Sequence, residues 1–72
     1  MDHLIDQFDA FIDFDFNCFY EELKSGKYGT KYSDQPTYPS LKATIDSVNI
    51  LRKYMGWNML SIKEMVAERE EN

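Results

Sequence analysis

The sequence contains few of the residues from which covalent frameworks and metal sites are built. It has one cysteine, Cys18, and one histidine in 72 residues, so neither an internal disulfide nor a Cys/His metal centre can form. Its three glycines make neither a phosphate-binding loop nor a nucleophile elbow, motifs that need glycines at fixed spacings. We therefore expect no enzymatic activity, no cofactor and no metal.

Long apolar runs and targeting signals are also missing. No stretch approaches the roughly 20 apolar residues that a membrane span requires, and the Met-Asp-His start lacks the basic residues of a secretory leader. A chain of 72 residues is long enough for one domain and no more. The sequence favours a single small cytoplasmic domain.

Aromatic residues, by contrast, are abundant. Five Phe, five Tyr and one Trp can each remove about 150–250 Å² of surface from water when they are buried. Hydrophobic residues make up 43% of the chain and charged residues 29%, which is close to the globular average. The composition predicts a folded domain that is stabilised by aromatic packing.

Apolar residues in the first third of the chain recur with the period of a helix. Six of them lie three or four residues apart and share one face: Ile5, Phe8, Ile12, Phe16, Phe19 and Leu23. This spacing predicts an amphipathic helix over residues 2–25, which Gly26 ends. The alternating pattern of residues 12–17 leaves a strand, or a break between two helices, as the alternative.

The rest of the chain predicts a loop and two further helices. Residues 26–39 have no sustained periodicity and contain both prolines, so they are predicted to be a loop. A second helix is predicted over residues 40–55, with Ser40 as its N-cap. Ser61 and Glu64 have the spacing of a capping box, which predicts a third helix over residues 62–70. The expected fold is therefore a small all-α domain of three helices.

The net charge of -5 is distributed unevenly along the chain. Residues 1–22 carry seven acids and no Lys or Arg, residues 23–63 carry seven bases and two acids, and residues 64–72 carry four acids and one base. In the first block, four aspartates recur at spacings of four, three and four, which places them on one side of the predicted helix. This acidic stripe consists of Asp2, Asp6, Asp9 and Asp13.

Helix physics explains only part of the acidic stripe. The helix dipole favours acids in the first turn alone, and like charges at these spacings cost about 0.2–0.5 kcal/mol per pair. A basic partner surface would give the stripe a purpose, because carboxylates one helical turn apart can face the Arg and Lys that otherwise contact DNA phosphates. The alternatives are an ordinary solvated face and a weak cation site.

Three tyrosines are spread through the predicted loop, at Tyr28, Tyr32 and Tyr38. Rigid amphipathic rings on loops are common contact residues. We therefore predict that Tyr28 and Tyr32 bind the partner together with the acidic stripe. In the alternative interpretation the three rings fold back over an incomplete core.

In size and acidity the chain resembles the small inhibitors encoded by phages and mobile elements. This resemblance implies an antirepressor or a DNA mimic, and our principal prediction is a non-enzymatic protein-interaction module of that type. Its partner would be a protein, most simply a basic DNA-binding protein.

A second resemblance covers residues 45–68. A helix, a turn beginning at Gly56 and a second capped helix resemble a helix-turn-helix unit, which implies a DNA-binding regulator. The triplet Met55-Gly56-Trp57 is similar to the loop signature of ubiquitin-associated domains, which are compact three-helix units. A homodimer is a further alternative, because the apolar arc of the first helix is wide.

Overall fold

The computed structural model describes the backbone of residues 2–71 and the side chains of residues 6–71. Its described part is all-helical and contains no strand. In chain order the elements are α1 (Asp2–Ser25), a 3-10 turn (Tyr32–Asp34), α2 (Tyr38–Tyr54) and α3 (Ile62–Glu71). The predicted fold of three helices is thus confirmed.

Helix α1 runs without interruption through residues 12–17. Ile12 and Phe16 are buried, whereas Asp13 and Phe14 are exposed. Burial in this segment therefore follows the helical period, and the alternative of a strand or a break is wrong. Gly26 follows the helix with a φ of 70°, the left-handed conformation that commonly ends a helix.

The start of α2 differs from the prediction. The helix begins at Tyr38, and its N-cap is Thr37, not Ser40. Pro39 fits in the first turn because its missing N–H has no helical partner there. The start is set by a tertiary contact, since Glu22 of α1 accepts hydrogen bonds from the Thr37 N–H at 3.0 Å and the Thr37 hydroxyl at 2.6 Å.

Helices α1 and α2 form an antiparallel hairpin. The contact between Glu22 and Thr37 joins the end of α1 to the start of α2. Further along, the Ser40 hydroxyl donates to Asp15 at 3.1 Å. The two contacts pair an earlier residue of α1 with a later residue of α2, as antiparallel packing requires.

The predicted loop is more ordered than its sequence indicates. It contains the 3-10 turn, and Gln35 within it is 1% exposed. The Gln35 amide nitrogen donates to the carbonyl oxygens of Gly29 at 3.2 Å and Lys31 at 2.9 Å. The buried side chain of Gln35 therefore holds the loop together by bonding the backbone carbonyls of two other loop residues.

An aromatic cluster forms the centre of the core. Phe19 is fully buried, and its ring centre lies 6.1 Å from that of Phe16, 5.6 Å from that of Tyr32 and 6.1 Å from that of Tyr38. Two of the three loop tyrosines thus fold back over the core. The buried apolar residues are Ile12, Phe16, Phe19, Leu41, Ile45, Val48 and Val66.

Glycine ends α2 and serine begins α3, as predicted. Gly56 has a φ of 76°, and the N–H of Trp57 donates to the Arg52 carbonyl at 2.8 Å, which closes a Schellman motif. Helix α2 ends at Tyr54, one residue before the predicted end, and α3 continues one residue beyond its predicted end. Ser61 Oγ accepts the Glu64 N–H at 3.4 Å, which is the serine half of the predicted capping box.

One side chain fastens the segment between α2 and α3. Asn49 of α2 accepts the Leu60 N–H at 2.7 Å and donates to the Leu60 carbonyl at 3.0 Å. Asn49→Ala leaves both backbone groups of half-buried Leu60 without these partners, so we expect the free energy of unfolding to fall by about 1–3 kcal/mol. Urea denaturation measures this loss. Ser47→Ala, an exposed change on α2, is the control, and an equal effect of the two variants would contradict the prediction.

Candidate partner-binding surface

The acidic stripe is accessible in the structure. Asp6 and Asp13 are exposed and Asp9 is half-buried, while the side chain of Asp2 lies outside the described residues. Among the described side chains the ion pairs are Lys24–Glu70 and Lys42–Asp46. No Lys or Arg in that part of the chain therefore forms an ion pair with Asp6, Asp9 or Asp13.

The acidic stripe continues into the surface that α3 covers. Phe16 and Tyr20 follow Asp13 at spacings of three and four residues, so they lie on the same line along α1. The Arg69 guanidinium of α3 lies 5.1 Å from the ring centre of Phe16 and 5.3 Å from that of Tyr20. Helix α3 thus covers the aromatic part of this line and leaves the aspartates open.

A small hollow marks the junction between the covered and open parts of the line. It has a volume of about 230 Å³. Its lining residues are Asp13, Phe16, Met65, Glu68 and Arg69. Apolar atoms beside a carboxylate suit the side chain of a lysine or arginine, which packs its stem on apolar surface and keeps its charge at the polar end.

Arg69 shares this hollow but is engaged within the chain. Its guanidinium donates to Asn17 Oδ1 at 2.9 Å while it stacks on the two rings of α1. Next to it, Lys24 donates to Glu70 at 3.2 Å, and this hydrogen bond raises the pKa of Lys24 above its ordinary value. The last turn of α3 is thereby attached to α1. The sequence does not reveal these contacts, because the spacing of Phe16 and Tyr20 indicates only a buried face.

The structure does not bring Tyr28 and Tyr32 to the acidic stripe. Tyr28 is 40% exposed and follows the end of α1, which lies about 18 Å from Asp13 at 1.5 Å of rise per residue. Tyr32 is half-buried and packs edge-on against Phe19. These two tyrosines and the aspartates thus do not form one continuous surface.

The segment that resembles a helix-turn-helix unit has several features that disfavour DNA binding. Residues 55–61 separate its helices, whereas such units use a turn of about three or four residues. Arg52 donates to the Asn58 carbonyl at 2.6 Å. Just before the segment, Lys42 pairs with Asp46, whose hydrogen bond raises the pKa of that lysine. The exposed residues of α3 are mostly acidic: Lys63, Glu64, Ala67, Glu68, Arg69, Glu70 and Glu71.

The remaining side chains offer little for catalysis or metal binding. Cys18 is a half-buried free thiol. Within residues 6–71 no three His, Cys, Asp or Glu side chains are placed to hold a metal ion. A groove of about 330 Å³ lies between α2, the start of α3 and the 3-10 turn, with Tyr32, Tyr38 and Ile62 in its wall.

None of the described helices combines the length and the apolar character needed to cross a membrane.

The comparisons with known proteins give no family and no relative. No protein-family model, curated protein or solved structure matches the chain.

Proposed function

We propose that the chain is a non-enzymatic, cytoplasmic protein-interaction module whose acidic stripe binds the basic surface of a DNA-binding protein. It would act as an antirepressor or a DNA mimic, as phage-type inhibitors do. The observation that carries this proposal is that the row of Asp6, Asp9 and Asp13 lies on one continuous helix and forms no ion pair with any described side chain. Charge of one sign on a fixed scaffold steers association and selects an oppositely charged partner.

The length of the row suits such a partner. Asp6 and Asp13 are seven residues apart, which corresponds to about 10 Å along the helix. DNA-binding proteins present arginines and lysines that contact neighbouring phosphates of the DNA backbone. A row of carboxylates can accept the same side chains and compete with DNA for them.

The hollow beside Asp13 provides a defined contact site for one partner side chain at the end of the acidic stripe. A partner lysine or arginine placed there would pack its stem on Met65 and direct its charge to Asp13. Charge-assisted hydrogen bonds of this kind are about twice as strong as neutral ones. We expect this contact to contribute more to binding than the exposed Asp6 does.

Charge reversal tests the proposal. We expect the wild-type chain to elute DNA-binding proteins of its source cells from DNA-cellulose. Asp9→Lys/Asp13→Lys should need at least 10-fold more protein for the same elution, because two attractive contacts become repulsive. The matched control, Glu21→Lys/Glu71→Lys, changes the net charge equally at exposed acids outside the row and should elute as the wild type does.

Two results would overturn the proposal. Equal elution by the two double variants would show that the row has no specific role. Retardation of DNA by the chain alone, in an electrophoretic shift at low salt, would favour the helix-turn-helix alternative. The fold of each variant is checked by circular dichroism, and all the substituted side chains are at least partly exposed.

A further inference from the structure

The α1–α2 hairpin exposes four large apolar side chains. Phe11 and Phe14 of α1 are 65% and 68% exposed, and Ile50 and Tyr54 of α2 are 72% and 84% exposed. At about 150–250 Å² for each fully exposed ring, the three rings alone leave roughly 300–550 Å² in water, and Ile50 adds to this surface. This is the upper end of what monomeric proteins expose, and patches of that size commonly mark interaction sites.

The two phenylalanines lie on the side of α1 that faces away from α3. Around the helix, successive residues are about 100° apart. Phe16 meets α3, and Asp15 meets α2, about 100° further round. Phe11 and Phe14 come next in the same direction, so they border the side of the hairpin that α3 does not cover.

The same construction places Ile50 and Tyr54 on that side of α2. Asn49 bonds the segment that leads into α3, whereas Ser40 bonds α1. Going round α2 from Asn49 past Ser40, the next positions are those of Ile50 and Tyr54. The four residues therefore share one face of the hairpin, which we call the outer face.

The outer face has large side chains on α1 and small side chains beside them on α2, so its shape is complementary to that of a second copy. The bonds of Asp15 to Ser40 and of Glu22 to Thr37 set the antiparallel register, which places Phe14 about level with Ala43 and Phe11 about level with Ser47. Large side chains of α1 thus stand beside small side chains of α2. A two-fold axis parallel to the helices would set the phenylalanines of each copy over the small residues of the other.

We propose that the outer face binds a second copy of the chain, with α1 of each copy lying along α2 of the other. In this arrangement Phe14 of each copy lies over Ala43 of the other, and Phe11 lies over Ser47. Pairing α1 with α1 would instead set the phenylalanines of the two copies against each other and leave the small residues of α2 uncovered.

The area of the outer face fits this occupant. A stable dimer buries about 800 Å² on each partner, roughly a sixth of the 5111 Å² surface of the chain. The four large side chains alone provide more than half of that area. A basic DNA-binding protein has no charged partner at these four positions, so a second copy fits the outer face better.

The dimer leaves the acidic stripe accessible. Asp9 lies about 140° round α1 from Phe14, so one helix can use both surfaces at once. The dimer would carry two acidic stripes related by its two-fold axis. This inference does not rest on the proposed function, because the two surfaces share none of these residues.

Sedimentation equilibrium tests the proposal at protein concentrations of about 10 μM to 1 mM. A dimer whose dissociation constant lies in that range is partly populated there. We expect the wild-type chain to form dimers. Phe14→Glu should raise the dissociation constant at least 10-fold, because it removes a ring from the interface and buries a charge there. Ala67→Glu, the same charge change on the exposed side of α3, should leave the dissociation constant unchanged.

A second variant tests the arrangement of the copies. Phe14→Glu/Ala43→Lys places a carboxylate opposite an ammonium at two symmetric positions, so it should restore part of the association that Phe14→Glu loses. A monomer at all concentrations, or dimers of Phe14→Glu as tight as those of the wild type, would overturn the proposal. Failure of the double variant to restore association would overturn the pairing of α1 with α2.

Discussion

Phe19→Ala is expected to lower the free energy of unfolding by about 3–5 kcal/mol, the usual range for removing a buried phenylalanine ring. Phe19 is 0% exposed and packs against Phe16 of its own helix, Tyr32 of the 3-10 turn and Tyr38 of α2. Its removal opens a cavity that three separate elements would have to fill. A domain of this size has a total stability of roughly 4–11 kcal/mol, so the loss is a large fraction of the whole.

Urea denaturation followed by circular dichroism measures this effect. Phe14→Ala is the matched control, because it removes the same ring from the same helix at a position that is 68% exposed. At low protein concentration, where association of two copies does not contribute, we expect a change of at most about 0.5 kcal/mol. Similar losses for the two variants would contradict the assignment of Phe19 as the centre of the core.

The second large effect is expected at Gln35→Glu. Gln35 is 1% exposed, and its amide nitrogen donates to the carbonyls of Gly29 and Lys31. A carboxylate in its place would be buried and would turn an acceptor towards two other acceptors. We expect the variant to be about 3 kcal/mol less stable than the wild type at pH 7, since breaking such hydrogen bonds and burying a charge are both costly.

This loss should depend on pH in a defined direction. Burial and the two carbonyls raise the pKa of the introduced carboxyl above the value of about 4.3 that it has in the unfolded chain. The folded variant then holds a proton that the unfolded chain releases. Its stability relative to the wild type should fall as pH rises from about 4.3 through the raised pKa, and the difference should be smallest below that range.

Thermal or urea denaturation of both chains at several pH values measures this difference. The matched control is Thr30→Glu, which introduces the same carboxyl at an exposed position of the same loop. We expect it to change stability by at most about 0.5 kcal/mol at any of these pH values. A deficit of the Gln35 variant that does not change with pH would show that its carboxyl is solvated and the loop rearranged.

The fold was predictable where local signals decide it. The spacing of Ile12, Phe16 and Phe19 is enough to define a helix face, and Gly56 ends α2 because a left-handed residue closes a Schellman motif. The predicted start of α2, at Ser40, was wrong because Glu22 of α1 fixes the first turn of the helix through its hydrogen bonds with Thr37. That contact joins residues 15 positions apart, and no local pattern reveals it.

The burial of Gln35 was not predictable for a related reason. It lies in a polar segment that contains Ser33, Asp34 and Thr37, and such composition indicates a solvated loop. Only the folded chain shows that its side chain takes the place of a backbone donor. The burial of the loop tyrosines was not predictable either, because the sequence does not distinguish a loop tyrosine that faces solvent from one that packs on the core.

The sequence was enough to predict the acidic stripe, but it could not predict where the accessible surface around the stripe ends. The spacing of the aspartates places them on one line of α1. That α3 covers the continuation of this line depends on the contact of Arg69 with Phe16 and Tyr20. The width of the apolar arc on α1 likewise predicted surplus apolar surface, whereas the position of α3 decides that Phe11 and Phe14 are the part left over.

The attachment of α3 gives the chain a graded stability. Val66 is the one buried residue among those described in α3, and burial of such a side chain contributes about 1.5–3 kcal/mol. Ile62 and Met65 of α3 are only partly buried against the core, and the polar and cation–ring contacts of α3 with α1 are exposed and contribute less. We therefore expect α3 to detach in partial unfolding events that leave the hairpin intact, with faster amide hydrogen exchange than α2. Each such event lengthens the accessible line on α1 from the aspartates to Phe16 and Tyr20, so a partner that prefers the longer line would bind this minor state.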